Sequence, residues 1–516
     1  MERIYCNGTI ITMRDPRETA QAVLTRDGTI ALVGSIEKVR RAAGKNAEIF
    51  DLEGKTMLPA FLDGHGHLSM LAQNLAQADL SSARSFQDII DLLREFRAKN
   101  ALFHGEYIVG FGYDENRLLE KRHPNRQVLD QVSTENPIFI SHVSFHMGVA
   151  NTVALKRADI FRNDECTGYL AETDMTAIYA QVAESKLPVK DLYKKAQEIY
   201  LQHGICTVQD GAVGKGQFQQ LQELADQKLF EVDVAAYLMM TDDAHSVAQT
   251  NANLLRHYQK HLKIGGYKLV LDGSPQGKTA WMREPYTDGT NGTAWMRDDD
   301  VKAFALQAVN DGVQLMAHCN GDAASEQFLN SYQYAVEHVE KKKSRKLRPV
   351  MLHSQTVRRD QLNRFFDLGM MPSFFVDHVY RWGDVHRKNL GQSRAQNISP
   401  VGWAEEFHLP YTFHQDTPVL PPDMLRTIQT AVQRVTEQGI LLGTQHTISV
   451  YQALQAVTIY AAYQYGEEKQ KGSIEKNKQA DFVILDQNPL CVDANTLADI
   501  HITHTIAKDR VVYQRK

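Results

Sequence analysis

From about residue 190 to residue 415 the chain alternates helical stretches with short apolar runs, and few folds accommodate that rhythm. Helices are expected at residues 192–203, 301–310 and 359–368, each closing on a glycine (Gly204, Gly312, Gly369) that can end a helix in the left-handed region. Apolar runs of strand length occupy 204–208, 232–237, 267–271, 313–317, 349–352, 371–375 and 410–413. Counting the run 57–64, which precedes His65, gives eight. Strand-helix alternation builds parallel sheets with helical crossovers, and eight such units close into an α/β (β/α)₈ barrel. A doubly wound open sheet is the competing architecture, but no GxGxxG turn follows any of these runs.

Both ends of the chain have a different texture. Strands are expected at residues 4–13, 19–26 and 29–33 (after the Asp27-Gly28 turn), then a helix at 35–43 and a strand near 49–52. The tail repeats that character at 481–485 and 500–512. Residues 1–57 and 470–516 are therefore expected to pair into a composite β-sandwich domain, with the barrel spanning 58–469. The stretch from about 75 to 190 breaks the alternation and holds a capped helix at 85–100. It reads as a subdomain inserted after barrel strand 1, on the face where such an insertion overhangs an active site.

Composition narrows the function classes. An apolar fraction of 43% in 516 residues is ordinary for a multi-domain globular chain. A formal charge of −5 argues against a general nucleic-acid or anionic-membrane binder. The basic run 341–346 lies between a helical stretch and a strand and reads as a solvated connection. Five scattered cysteines without a CxxC pair suggest neither a disulfide framework nor a thiolate zinc site. With no signal-peptide core and no apolar run of membrane-spanning length, a cytoplasmic location is expected.

Ligand-type residues recur at the ends of the expected barrel strands. Strand one leads into His65-Gly66-His67, whose imidazoles share one face because residues two apart on a strand do so. Strand four carries Lys268, strand five ends in His318, strand six in His353 and strand eight in Asp416. Any one of these has a bland explanation: a core histidine, a turn cap before Pro418, a lysine reaching solvent. In barrel order they make four imidazoles, a carboxylate and a lysine converging on one face. That donor set suits zinc or a similar first-row metal rather than calcium or magnesium, which prefer all-oxygen shells.

The order HxH, Lys, His, His, Asp resembles the amidohydrolase superfamily of metal-dependent hydrolases. The surrounding segments resemble its YtcJ-like branch, amidohydrolase family 3. They are 62–67, 272–280, 317–322, 416–419 and the tail 472–481, so the resemblance covers nearly the whole chain. It implies one or two divalent metal ions per chain, of zinc type, and a Lys268 carboxylated by carbon dioxide to bridge two of them. The alternative is an unmodified lysine beside a single metal. Three positions depart from the branch, which usually has Gly where this chain has Ala60, Gly-Ser for His414-Gln415, and Gly for Asn477.

The mechanism expected from this set is attack by metal-activated water. Asp416 serves as general base and passes the proton to the leaving group. His318 or His353, with the metal, stabilises the oxyanion. By the same resemblance the loop after strand four faces the pocket with Gln276, Lys278, Trp281 and Met282, and the strand-seven loop adds Asp377, His378, Tyr380, Arg381 and Trp382. His146 and Asp114 from the insertion are also expected to line it. Aromatic groups there suit an acyl or aryl substrate, and Lys278 or Arg381 a carboxylate. The expected activity is hydrolysis of a C–N bond in an amide, N-acyl or N-formyl small molecule. A deaminase acting on a ring amidine, or a non-catalytic regulatory scaffold, are the alternatives. No partner beyond a small-molecule substrate is expected; homodimers are common for barrels of this size, but no segment marks a self-association surface.

Overall fold

The computed structural model describes all residues except 101, 164, 183–188 and 341–345, and only the backbone of 172 and 173. The first five residues of the basic run 341–346 lie outside the described residues. The chain divides into two compact units: residues 1–68, 197–417 and 421–516 form one, and residues 69–196 with 418–420 the other.

The larger unit contains an eight-stranded parallel sheet in sequential order: Phe61–Leu62, Ile205–Val213, Asp233–Met239, Leu262–Val270, Gln314–Cys319, Val350–His353, Met371–Phe374 and Thr412–Phe413. The sheet curls until its ends meet. Gly66 bridges Thr417 in parallel, and the His67 N–H donates to Thr417 O at 2.8 Å. This is the TIM-like barrel that the alternation predicts. Its strands are buried on both faces, as a sheet wrapped by helices must be. Leu62, Ala235, Tyr237, Met316, Leu352 and Met371 belong to one buried cluster among these strands. Gly312 and Gly369 close their helices with φ of 67° and 60°. Expected as one helix, 359–368 is two short ones, Arg359–Asn363 and Phe365–Leu368.

The run 57–64, expected as a single strand, divides between two sheets. Thr56–Pro59 pairs antiparallel with Phe482–Leu485, whereas Phe61–Leu62 pairs with the second barrel strand. Pro59 has no N–H to continue a ladder, so the chain changes sheet at Ala60 rather than between residues 57 and 58. Glu2–Ile11, Thr19–Arg26, Thr29–Gly34, Glu48–Asp51 and Thr56–Pro59 join Phe482–Leu485, Ile502–Ala507 and Arg510–Gln514 in one eight-stranded sheet made from both chain ends.

The smaller unit is a five-stranded sheet with its own core, which the sequence pattern did not foreshadow beyond one helix. That helix, Phe86–Lys99, is capped by Ser85, whose hydroxyl accepts from the Asp88 N–H at 3.2 Å. Among the described residues no helix is long and apolar enough to cross a membrane.

Candidate active site

The site is built where barrel strands one, four, five, six and eight end. His65 is fully buried and its Nδ1 lies 2.5 Å from Gln209 Oε1. With the proton on Nδ1 donated to that amide, Nε2 is left as a lone pair facing the barrel axis. His65 Nε2 lies 3.3 Å from Lys268 Nζ and 3.3 Å from Asp416 Oδ1, and His67 Nε2 is 3.2 Å from the same carboxylate oxygen. One donor atom each from His65, His353 and Asp416 falls within 4.8 Å of the others. The His318 ring centroid is 4.2 Å from that of His353. All six residues expected from the sequence therefore come together in one unit.

Local backbone supports this placement. His353 and Asp416 sit at strand ends with φ of 67° and 55°. Non-glycine residues rarely adopt that region, and where they do so the surroundings must hold them, commonly at functional sites. Gly66 separates the two histidines because a Cβ there would lie 2.5 Å from Asp63 Oδ2 and 2.9 Å from the Tyr200 hydroxyl.

Electrostatics follow from burial and neighbours. Burial pushes Lys268 down to about 7 against the pull of Asp416, so much of its amine is neutral at physiological pH. Burial, with Lys268 beside it, holds His65 well below its ordinary value, and burial with His318 does the same for His353. Neutral imidazole is the ligand form. Burial alone would raise Asp416, but the imidazoles of His353, His67 and His65 hold it well below the carboxylate range.

Two further observations fit a cation. His353 Nε2 is buried without a hydrogen-bond partner, and so are both ring nitrogens of His414. The His414 ring lies 5.3 Å from His65 and 5.1 Å from His353, centroid to centroid. Unpaired buried polar atoms each cost about 1–3 kcal/mol, and an electropositive group meeting the ring lone pairs would offset that cost. The donor cluster of His65, His353 and Asp416, with His67, Lys268 and His318 beside it, suits a divalent metal.

The expected substrate residues divide. Gln276 is buried with an unpartnered Oε1, and Trp281 is partly exposed with its N–H donating to Asp272 Oδ2 at 3.0 Å. Lys278 turns instead to Asp288 on its own loop. Arg381 lies 3.9 Å from Glu437, and His378 shares a 3.1 Å contact with His386 beneath Trp382. Asp114 and His146 belong to the smaller unit.

Three contributors escaped the sequence reading. Gln209 orients His65; its only mark is polarity just past the apolar run 204–208. Asp272 accepts from the N–H groups of Trp281, Asn320 and Gly321, tying the strand-four loop to the end of strand five. His414 is visible in sequence only as a departure from the resembled branch.

A family model described as "Amidohydrolase family" matches residues 48–513. "Putative amidohydrolase YtcJ" of Bacillus subtilis is 26% identical across the whole of both chains. "N-substituted formamide deformylase" of Arthrobacter pascens is 25% identical over 99% of this chain and 98% of its own. The structure of an uncharacterised metal-dependent hydrolase from Pyrococcus furiosus superposes with a TM-score of 0.77 at 27% identity, covering 95% of this chain and 100% of that one. Together with the donor cluster, these matches show that the chain belongs to the amidohydrolase family and is a metal-dependent hydrolase of carbon–nitrogen bonds other than peptide bonds.

Proposed function

We propose that the chain hydrolyses the C–N bond of a small N-acyl or N-formyl amine, with Asp416 as general base. The observation that carries this is the meeting of His65, His353 and Asp416 donor atoms within 4.8 Å, beside a buried lysine. In this reading the six ligands hold one or two ions of zinc type. Lys268 becomes a carbamate: the neutral amine attacks carbon dioxide, a proton leaves, and an anionic ligand results. Its depressed basicity favours that reaction, since only the unprotonated amine is nucleophilic.

A bound divalent ion supplies Lewis acidity, bringing the pKa of water towards ~7 and polarising the scissile carbonyl. Asp416 is held as a carboxylate by the surrounding imidazoles, so it accepts the attacking water's proton and returns it to the departing nitrogen. His318 and His353 face the oxyanion that forms. Gln276 offers an unpaired carbonyl to a substrate N–H. Trp281, His378 and Arg381 complete the substrate-facing set within the larger unit. Because Lys278 is engaged by Asp288, a substrate carboxylate is the weaker expectation. The five cysteines are free, which suits a reducing cytoplasm, and a single sheet formed by both chain ends stands where the composite β-sandwich domain is expected.

The relative named for deformylating N-substituted formamides supports trying that class first. The test uses protein reconstituted with zinc and bicarbonate, N-alkyl- and N-arylformamides and their N-acetyl analogues, and assays for the acid and amine released. Hydrolysis that falls by roughly 10³-fold in Asp416→Asn, with metal retained, supports the proposal. Ammonia released only from ring amidines would replace it with the deaminase reading. Inertness of fully loaded protein towards every amide would overturn it.

A further inference from the structure

The smaller unit has its own convergence of ligand-type side chains, made from none of the barrel residues. It forms at the carboxyl ends of two adjacent parallel strands, Ile108–Tyr113 and Ile138–His142, whose register sets Tyr113 opposite His142. In open α/β sheets this edge is where ligands bind, because strand ends and their loops converge there. Asp114 and Glu115 leave the first strand, His142 ends the second, and one ligand atom from each lies within 4.8 Å of the others.

The histidine is the informative member. His142 has 0% exposure, and its Nε2 lies 2.8 Å from Glu115 Oε2. Yet the two atoms do not meet along a hydrogen-bond axis, and neither has a hydrogen-bond partner. Ser144 holds the ring from the opposite side: its hydroxyl oxygen is 2.8 Å from Nδ1, and its backbone N–H reaches the same atom at 3.1 Å. The Ser144 N–H donates to Nδ1, so Nε2 is the ring atom aimed at the carboxylates, and an ion taken there would replace its proton. Ser144 thus fixes the orientation of the ring towards Asp114 and Glu115. His123 stands alongside, its Nδ1 4.0 Å from Glu115 Oε2 and 3.1 Å from the Tyr113 hydroxyl. Mixed carboxylate and imidazole donors suit a first-row divalent ion better than magnesium or calcium.

We propose that Asp114, Glu115 and His142, with His123 beside them, form a second divalent-metal site, carried by the inserted unit. This gives Asp114 a different task from the substrate contact expected of it in sequence. The site does not depend on the proposed reaction, and its test reads metal binding rather than turnover.

The experiment strips full-length protein of metal and titrates it with zinc against a chromophoric chelator, then with cobalt while recording the visible spectrum. Wild type is compared with Glu115→Gln, His142→Asn and His123→Asn. The expected result is one class of ion weakened by at least ~10-fold in Glu115→Gln and His142→Asn, the remaining class keeping its wild-type affinity and cobalt spectrum. Should either buried substitution unfold the unit, as circular dichroism would reveal, the partly exposed His123→Asn decides by the same criterion. Wild-type stoichiometry, affinity and spectrum in every folded variant would reduce the cluster to an ion pair and overturn the proposal.

Discussion

Lys268 and Lys471 are both buried in the larger unit, near opposite ends of the barrel strands, and their basicities move in opposite directions. Lys471 meets the amino-terminal ends. Its ammonium donates to Asp233 Oδ2 at 2.6 Å and to Thr207 Oγ1 at 2.9 Å, and it lies 2.9 Å from Glu467 Oε2. Burial alone would lower it, but Asp233 and Glu467 hold it firmly charged. Lys268 suffers the same burial with Asp416 as its one strong counter-charge, and that carboxylate is shared with two imidazoles. Burial sets the penalty; the neighbours decide whether a group escapes it by pairing or by losing its proton. One end of the barrel is thus neutralised internally, and the other is left with lone pairs for an incoming ion.

Replacing the paired lysine should hurt the fold most. Lys471→Met removes the cation shared by Asp233 and Glu467, leaving Asp233 to His261 and Lys508 and Glu467 to Lys263. Denaturant unfolding should then show a loss of about 3 kcal/mol with metal content per folded chain unchanged. A loss below ~1 kcal/mol would break the contrast. Lys268→Met should do the reverse: stability within ~1 kcal/mol of wild type, but kcat/KM on a cleaved amide reduced by roughly 10²–10³, about 3–4 kcal/mol of transition-state stabilisation.

A third buried group sharpens the rule because hydroxyls, rather than a paired cation, hydrogen-bond to it. Asp377 accepts from Thr427 and Thr430 at 2.6 Å each, and burial still raises it to about 6. Between its unfolded value near 3.8 and 6, the folded state binds the extra proton. Stability therefore falls as pH rises through that window, by on the order of 3 kcal/mol, and is flat above it. Unfolding curves from pH 4 to 7 should show this slope, and Asp377→Asn should reduce it by that amount. Smallest is Gly66→Ala, whose methyl meets Asp63 and Tyr200. A cost of about 1–3 kcal/mol is expected, with a weaker metal affinity because both flanking histidines must shift.

The barrel and the residues that cluster at its strand ends were legible in the sequence for one reason. Parallel strands buried on both faces are continuous apolar runs, and each ligand interrupts such a run at its end. Lys268 within 267–271 and His318 after 313–317 stand out by that contrast. The change of sheet at Ala60 was not legible, because Met57 to Leu62 is apolar throughout and periodicity cannot show which sheet a residue joins. Nor was Gln209, since its role depends on a contact 144 residues away in sequence. Asn477, a departure from the resembled branch's glycine, needs no functional account: its φ is 73°, a region asparagine tolerates better than most residues.

The sheet made from both chain ends also governs the order of events during synthesis. Thr56–Pro59 pairs with Thr9 and Ile10 within the first strand on one side and with Phe482–Leu485 on the other. As the chain leaves the ribosome, one edge of that strand waits for more than 400 residues to be translated before its partner exists. Until then an apolar edge with open backbone groups is exposed to any neighbouring chain. A nascent or C-terminally truncated product is therefore a ready substrate for chaperones and for edge-to-edge aggregation, even though every residue of the donor cluster has already been made.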